Sequence, residues 1–145
     1  MINPKHTIFI LFLLTCTSSS AQIDTSFVRR DSSFIYPREI RFIGSSTEID
    51  GNYKYVMEDL VTFLRTYDDF HIHIRGHVCC GPAESVSKKR AKSIYRFLLA
   101  SGIPKERMSF KGYSDEIPAV WPEKTEEDAE ANRRADFVIC PPKKK

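Results

Sequence analysis

Several things are scarce in this 145-residue chain, and each scarcity narrows what it can be. A surplus of one charge is the first. Lys and Arg number 22 against 19 Asp and Glu. Six of the basic residues are Lys5, Arg29, Arg30, Lys143, Lys144 and Lys145, at the two ends. Setting these aside with Asp24 and Asp31 leaves 16 basic residues against 17 acidic ones. A folded region so balanced has no electrostatic footprint for nucleic acid. Cysteine is scarce too: the four, at positions 16, 79, 80 and 140, form neither a disulfide-rich framework nor a paired C-x-x-C zinc site. Apolar runs long enough to span a bilayer are lacking. No internal repeat is present, and neither a Ser/His/Asp arrangement nor a carboxylate pair stands out, so no enzyme chemistry is indicated. At 41% hydrophobic residues the chain is nonetheless too apolar to stay disordered. Its length suits one domain with a real core.

Residues 1–21 read as a secretory leader. Lys5 and His6 precede an apolar stretch from Ile8 to Leu14, and Ser19 and Ala21 are small residues placed for cleavage before Gln22. Leu13-Leu14-Thr15-Cys16 weakly resembles a lipoprotein cleavage box, so a lipid on Cys16 is the one route to a membrane. Residues 22–37 are polar and read as a linker, 38–140 as the domain, and 141–145 as a basic tail. An exported protein is expected.

The domain pattern predicts an α+β fold. Residues 39–42 alternate as a half-buried strand. Tyr53, Val56, Met57, Leu60, Phe63, Leu64 and Tyr67 recur at helical spacing, with Asp50 near the start. Phe70, Ile72 and Ile74 alternate with His71, His73 and Arg75 as a second strand. A second helix runs from about Pro82 to Gly102, a C-cap glycine. A third strand covers 107–111, and a loop with Pro118, Trp121 and Pro122 follows. Thr125 with Asp128 caps a short acidic helix to about Asn132, and Ala135 to Cys140 is the last strand. The expected architecture is a two-layer βαβα-β(α)β sandwich, with helices on one face of a mixed four-stranded sheet.

One arginine of the second helix points the wrong way. Stepping about 100° per residue from Arg90, the residues Phe97, Ile94, Ser87, Leu98 and Ala91 fall within about 120° of one another. Lys88, Lys89, Lys92 and Arg96 occupy the opposite side as a solvated stripe. Arg90 alone brings charge to the apolar face, where an unpaired cation is costly. Either an internal partner holds it, such as an acidic residue of the 114–130 loop, or it is reserved for a ligand carboxylate.

Cys79-Cys80 before Gly81-Pro82 marks a tight turn. In an oxidising compartment the pair can form a strained vicinal disulfide, or one member can pair with Cys140. A structural role, metal binding and thiol redox chemistry all remain open, in that order of preference. His71, His73 and His77 fall on one side of the second strand by alternation. They read as a polar outer face, because Arg75 among them disfavours a metal shared with Cys79. No metal site or cofactor is expected.

Gly76-His77, Ser87-Lys88-Lys89-Arg90-Ala91, Gly102-Ile103, Arg107-Met108, Gly112-Tyr113, Pro118 and Asn132-Arg133-Arg134, in this order, resemble the OmpA/MotB C-terminal domain. Arg41-Phe42-Ile43-Gly44-Ser45 stands where that family has its first strand and a Ser loop. The resemblance covers about residues 38–140. It implies a non-enzymatic periplasmic or outer-membrane-associated module that binds peptidoglycan through the diaminopimelate of its stem peptide. It places a carboxylate-binding arginine at Arg90, in a motif that includes Ser87, with further contacts near Asn132 and Arg133. His77 would brace the pocket by hydrogen bonding. The family's Gly-His-Thr-Asp is Gly76-His77-Val78-Cys79 here, so the carboxylate expected to take the ligand ammonium is a thiol. Such a loss costs about 1–3 kcal/mol if the pair was desolvated, or one to two decades of affinity. A degenerate domain that recognises an envelope protein is the alternative, and a vicinal-thiol redox protein is the third reading.

Overall fold

The computed structural model describes residues 25–142. The expected leader at 1–21, Cys16 and Lys143 to Lys145 lie outside them. Five strands and three helices follow one another as β1 (Phe34–Ile35), β2 (Ile40–Arg41), α1 (Lys54–Thr66), β3 (His71–Gly76), α2 (Glu84–Ala100), β4 (Met108–Gly112), α3 (Glu126–Asn132) and β5 (Arg134–Cys140). In the sheet, β5 lies between β3 and the short strands β1 and β2, all antiparallel to it, and β4 pairs with β3 in parallel. The expected mixed α+β architecture is therefore what the chain forms.

Period decides which side each strand buries. Ile72 and Ile74 of β3 and Ala135, Phe137 and Ile139 of β5 are all at most 1% exposed and face the helices. Against them α1 packs Leu60, Phe63 and Leu64, and α2 packs Ala91, Ile94 and Leu98. The apolar face read from the second helix is thus the packed one, except that Phe97 at its edge is half exposed. A capping box starts α3: Thr125 accepts from the Asp128 amide and Asp128 from the Thr125 amide. Gly102, at φ +86°, closes α2.

The stretch before residue 38 departs from the expected polar linker. Tyr36 is 4% exposed, and Phe27 sets its ring against Phe34, Tyr36 and Phe63. This segment supplies β1, the strand beyond the expected four. Its few aromatic residues follow no strand or helix period, so only the fold reveals what they cover.

The two layers meet most closely at one end. Gly76 and Gly112 are register partners at the ends of β3 and β4. A Cβ on Gly76 would lie 1.9 Å from the Ser87 carbonyl oxygen, and one on Gly112 would lie 2.5 Å from the Lys88 nitrogen. The glycines let the first turns of α2 settle on the sheet, which brings that helix over the β3–α2 turn.

Candidate functional site

The turn between β3 and α2 gathers most of the residues singled out in the sequence. Arg90 enters it from the second turn of α2. It is 1% exposed, and its guanidinium donates to three backbone carbonyls: Nε to Ser46 (2.9 Å), Nη1 to His77 (2.8 Å) and Nη2 to Gly44 (2.6 Å). The Phe42 ring lies 5.0 Å below it. Its internal partners are thus neutral carbonyls, not an acidic residue of the 114–130 loop. No carboxylate pairs with it among the described residues. Burial, reinforced by the nearby Arg133 charge, pulls its pKa down to about 10.

Arg133 is 8% exposed. Its Nη2 pairs with Glu126, its Nη1 lies 3.4 Å from the Cys79 sulfur, and its Nε has no partner among the described residues. Cys79 and Cys80 are joined as the vicinal disulfide, with Cys80 at φ +61° and Gly81 at φ +105°. Cys140 is free.

Ser87 and Asn132 are both buried and committed within the chain. The Ser87 hydroxyl donates to the Glu84 carbonyl and accepts from the Ser114 amide. Asn132 accepts from the amides of Ala119 and Val120, and donates to the Val120 carbonyl and to Glu123 Oε2 (2.8 Å). It uses its whole hydrogen-bonding capacity to shape the β4–α3 loop. That loop and the disulfide enclose a pocket of about 120 Å³, lined among others by Cys79, Cys80, Asp115, Trp121, Glu123 and Asn132. Arg90 lies beneath this region and does not line it.

His77 is placed otherwise than strand alternation suggests. Past Gly76 the strand ends, and His77 turns inward to 1% exposure, its Nε2 3.3 Å from Asp136 Oδ2. Burial lowers its pKa and outweighs the Asp136 contact, which raises it; the cations Arg134 and Arg75 add to the lowering, so the neutral form is favoured. Asp136 also receives Arg75 Nε at 2.5 Å and Arg134 Nη2 at 3.1 Å. Burial alone would raise its carboxyl; His77 and Arg75 more than reverse this and hold it well below the usual carboxylate range. His73 bonds to Ser109 and Tyr113 instead, and His71 is exposed, so the three histidines do not converge with Cys79.

The signals that sequence reading missed are Glu123 and Asp136. Neither belongs to a motif, and both acquire meaning from the strand or loop opposite.

Comparison with known proteins agrees with this fold. A sequence profile of the OmpA family matches residues 41–134. No curated protein sequence matches significantly. Among solved structures, the peptidoglycan-associated lipoprotein of Burkholderia pseudomallei superposes with a TM-score of 0.65 at 24% identity, covering 70% of this chain and 89% of that one. The C-terminal domain of Helicobacter pylori MotB also gives 0.65, at 19% identity over 70% of this chain and 83% of that one. The cell wall anchor of the T6SS from Pseudomonas aeruginosa gives 0.62, at 17% identity over 76% and 88%.

Proposed function

Because the chain belongs to the OmpA family, we propose that it is a non-catalytic peptidoglycan-binding module of the bacterial cell envelope, working in the periplasm. Its ligand is the diaminopimelate of the stem peptide. The observation that carries this reading is the electrostatic state of Arg90, a buried cation answered by carbonyl dipoles and the Phe42 ring and standing near a second buried cation, Arg133. Buried charge in proteins is ordinarily matched by opposite charge, and a ligand carboxylate would supply the match. Three of the five guanidinium N–H groups are used, which leaves one on each terminal nitrogen for that carboxylate.

The ligand ammonium needs a different partner from the family's, since Cys79 carries no charge in the disulfide. Asp115 and Glu123 line the pocket beside the disulfide and take that role. Glu123 is already oriented by Asn132. Ser87 and His77 act from below by fixing the helix and the turn, not by touching ligand.

Co-sedimentation with isolated sacculi tests the reading. The wild type should pellet and be released by free diaminopimelate, and Asp115→Asn with Glu123→Gln should weaken pelleting about tenfold or more without changing the melting temperature. A folded wild type that stays in the supernatant overturns the proposal. The second reading, an envelope protein as ligand, is favoured by Trp121, 81% exposed beside the pocket. A folded wild type that stays in the supernatant with sacculi but binds an envelope protein, in a contact that Trp121→Ala abolishes, would support it.

A further inference from the structure

One cluster at the pocket's wall has chemistry beyond holding an ammonium. Cys79 Sγ, Cys80 Sγ and a Glu123 carboxylate oxygen all lie within 4.8 Å of one another. The Cys80 sulfur is 3.1 Å from Glu123 Oε1. In the disulfide that sulfur has no proton to give, so two electron-rich atoms face each other with nothing shared between them. The arrangement becomes favourable only when something positive sits between the sulfurs and the carboxylate.

The geometry points to a redox-gated cation site: reduced Cys79 and Cys80, with Glu123, bind one zinc-class divalent cation. The donor set fits, as thiolate sulfur and carboxylate oxygen are both ordinary zinc ligands, and three protein ligands leave a fourth position for water. The supporting groups are in place as well. Asn132, 3% exposed and fixed by three backbone bonds, donates to Glu123 Oε2 and leaves Oε1 directed at Cys80. Arg133 Nη1 donates toward the Cys79 sulfur. Two thiolates and a carboxylate outweigh a divalent cation by one negative charge, and Arg133 lies where that charge would be. Hydrogen bonds to the non-ligating side of metal ligands are what orient such sites. The sulfurs must part to roughly 3.7 Å to bind one cation at about 2.3 Å each. Gly81 permits this, with open space where a Cβ would stand.

The sequence of events balances. A dithiol reductant delivers two electrons and two protons to the Cys79–Cys80 bond, which breaks, and the reductant leaves as its own cyclic disulfide. The cation then displaces both thiol protons. In the reverse direction a cyclic disulfide is the oxidant: it accepts the two electrons from the two thiolates and two protons from water, leaves as the dithiol, and the re-formed Cys79–Cys80 bond releases the cation and restores the uncharged wall of the pocket.

The test uses the full chain carrying Cys16→Ser and Cys140→Ser, so that only the vicinal pair can contribute thiolate. It is reduced with dithiothreitol, desalted without oxygen and titrated with cobalt(II), whose thiolate charge-transfer absorption reports sulfur ligation. The expected result is one cobalt per reduced chain, displaced by zinc, with no such absorption from the oxidised protein. Glu123→Gln should weaken binding tenfold or more while the circular dichroism spectrum stays the same. Reduced protein without the absorption overturns the site. So does equal binding by oxidised protein, or affinity within twofold of wild type in Glu123→Gln. None of these readouts depends on sacculus binding, so the two proposals fail separately.

Discussion

Gly76 and Gly112 face each other across β3 and β4, and the Ser87 carbonyl and hydroxyl lie directly over them. The pair acts as a seat for the first turns of α2. Because Arg90 is one turn further along that helix, the seat also sets how far its guanidinium reaches toward Gly44, Ser46 and His77.

Gly76→Ala should therefore be severely destabilising. A methyl group 1.9 Å from a backbone oxygen cannot be absorbed by a side-chain rotation, and overpacking against rigid backbone costs about 1–3 kcal/mol or more. Urea denaturation is expected to show a midpoint lowered to match. An unchanged midpoint would mean that α2 is not held where the glycines allow it.

Two arginines, Arg90 and Arg107, each staple three backbone carbonyls, and comparing them separates stability from binding. Arg107 joins the end of α1 to the start of β3 through the carbonyls of Leu64, Tyr67 and Phe70. Arg90→Ala leaves the buried His77 carbonyl without its donor, while the carbonyls of the exposed Gly44 and Ser46 can turn to water, and should cost about 1–3 kcal/mol. Arg107→Ala, in a partly solvated setting, should cost about 1–3 kcal/mol. Sedimentation with sacculi, at a temperature where both variants are folded, should be lost in Arg90→Ala and kept in Arg107→Ala. Equal loss in both would assign Arg90 a purely structural role.

Acid should weaken the domain in two stages. His77 has a lowered pKa in the fold, so below about 6.5 the unfolded chain binds the proton first and stability declines with falling pH. Asp136 contributes stability that is complete above its unfolded value of about 3.9 and is lost as pH falls through its lower native value. Denaturant midpoints measured from pH 8 to pH 3 should begin to fall as the pH drops below about 6.5, a step that His77→Gln removes. A flat profile down to pH 4 would contradict the neutral, buried state of His77.

Much of this was legible in the residues, for identifiable reasons. The helices α1 and α2 have strong 3.6-residue periods and clear ends, and the alternation of β3 and β4 is regular. Arg90 stood out because a helix has one buried face and a charge on it is conspicuous. Its partners were not legible: backbone carbonyls have no residue identity, so nothing in the chain marks Gly44 or Ser46 as acceptors. The turn of His77 into the interior escaped because alternation holds only while a strand lasts, and β3 ends at Gly76. The aromatic segment at 27–36 lacked a period to follow. Cys79 and Cys80 were visible as a pair, whereas Glu123, over forty residues on, reaches them only because Asn132 folds its loop back.

The sheet's register also sets how the domain would meet a load applied at its two ends. Phe34 pairs with Ile139 near the far end of β5, whereas Arg134 and Gly76 mark the end that bears the candidate site. On the proposed function, chain entering at β1 and a polymer bound near Arg90 would pull on opposite ends of the same strands. Tension between them runs along the strands and loads the β1–β5 hydrogen bonds together, in shear, instead of peeling them apart in turn. The Phe27, Phe34, Tyr36 and Phe63 rings clamp that same entry point. On that reading, a segment that looks like slack tether would instead transmit force between the two ends.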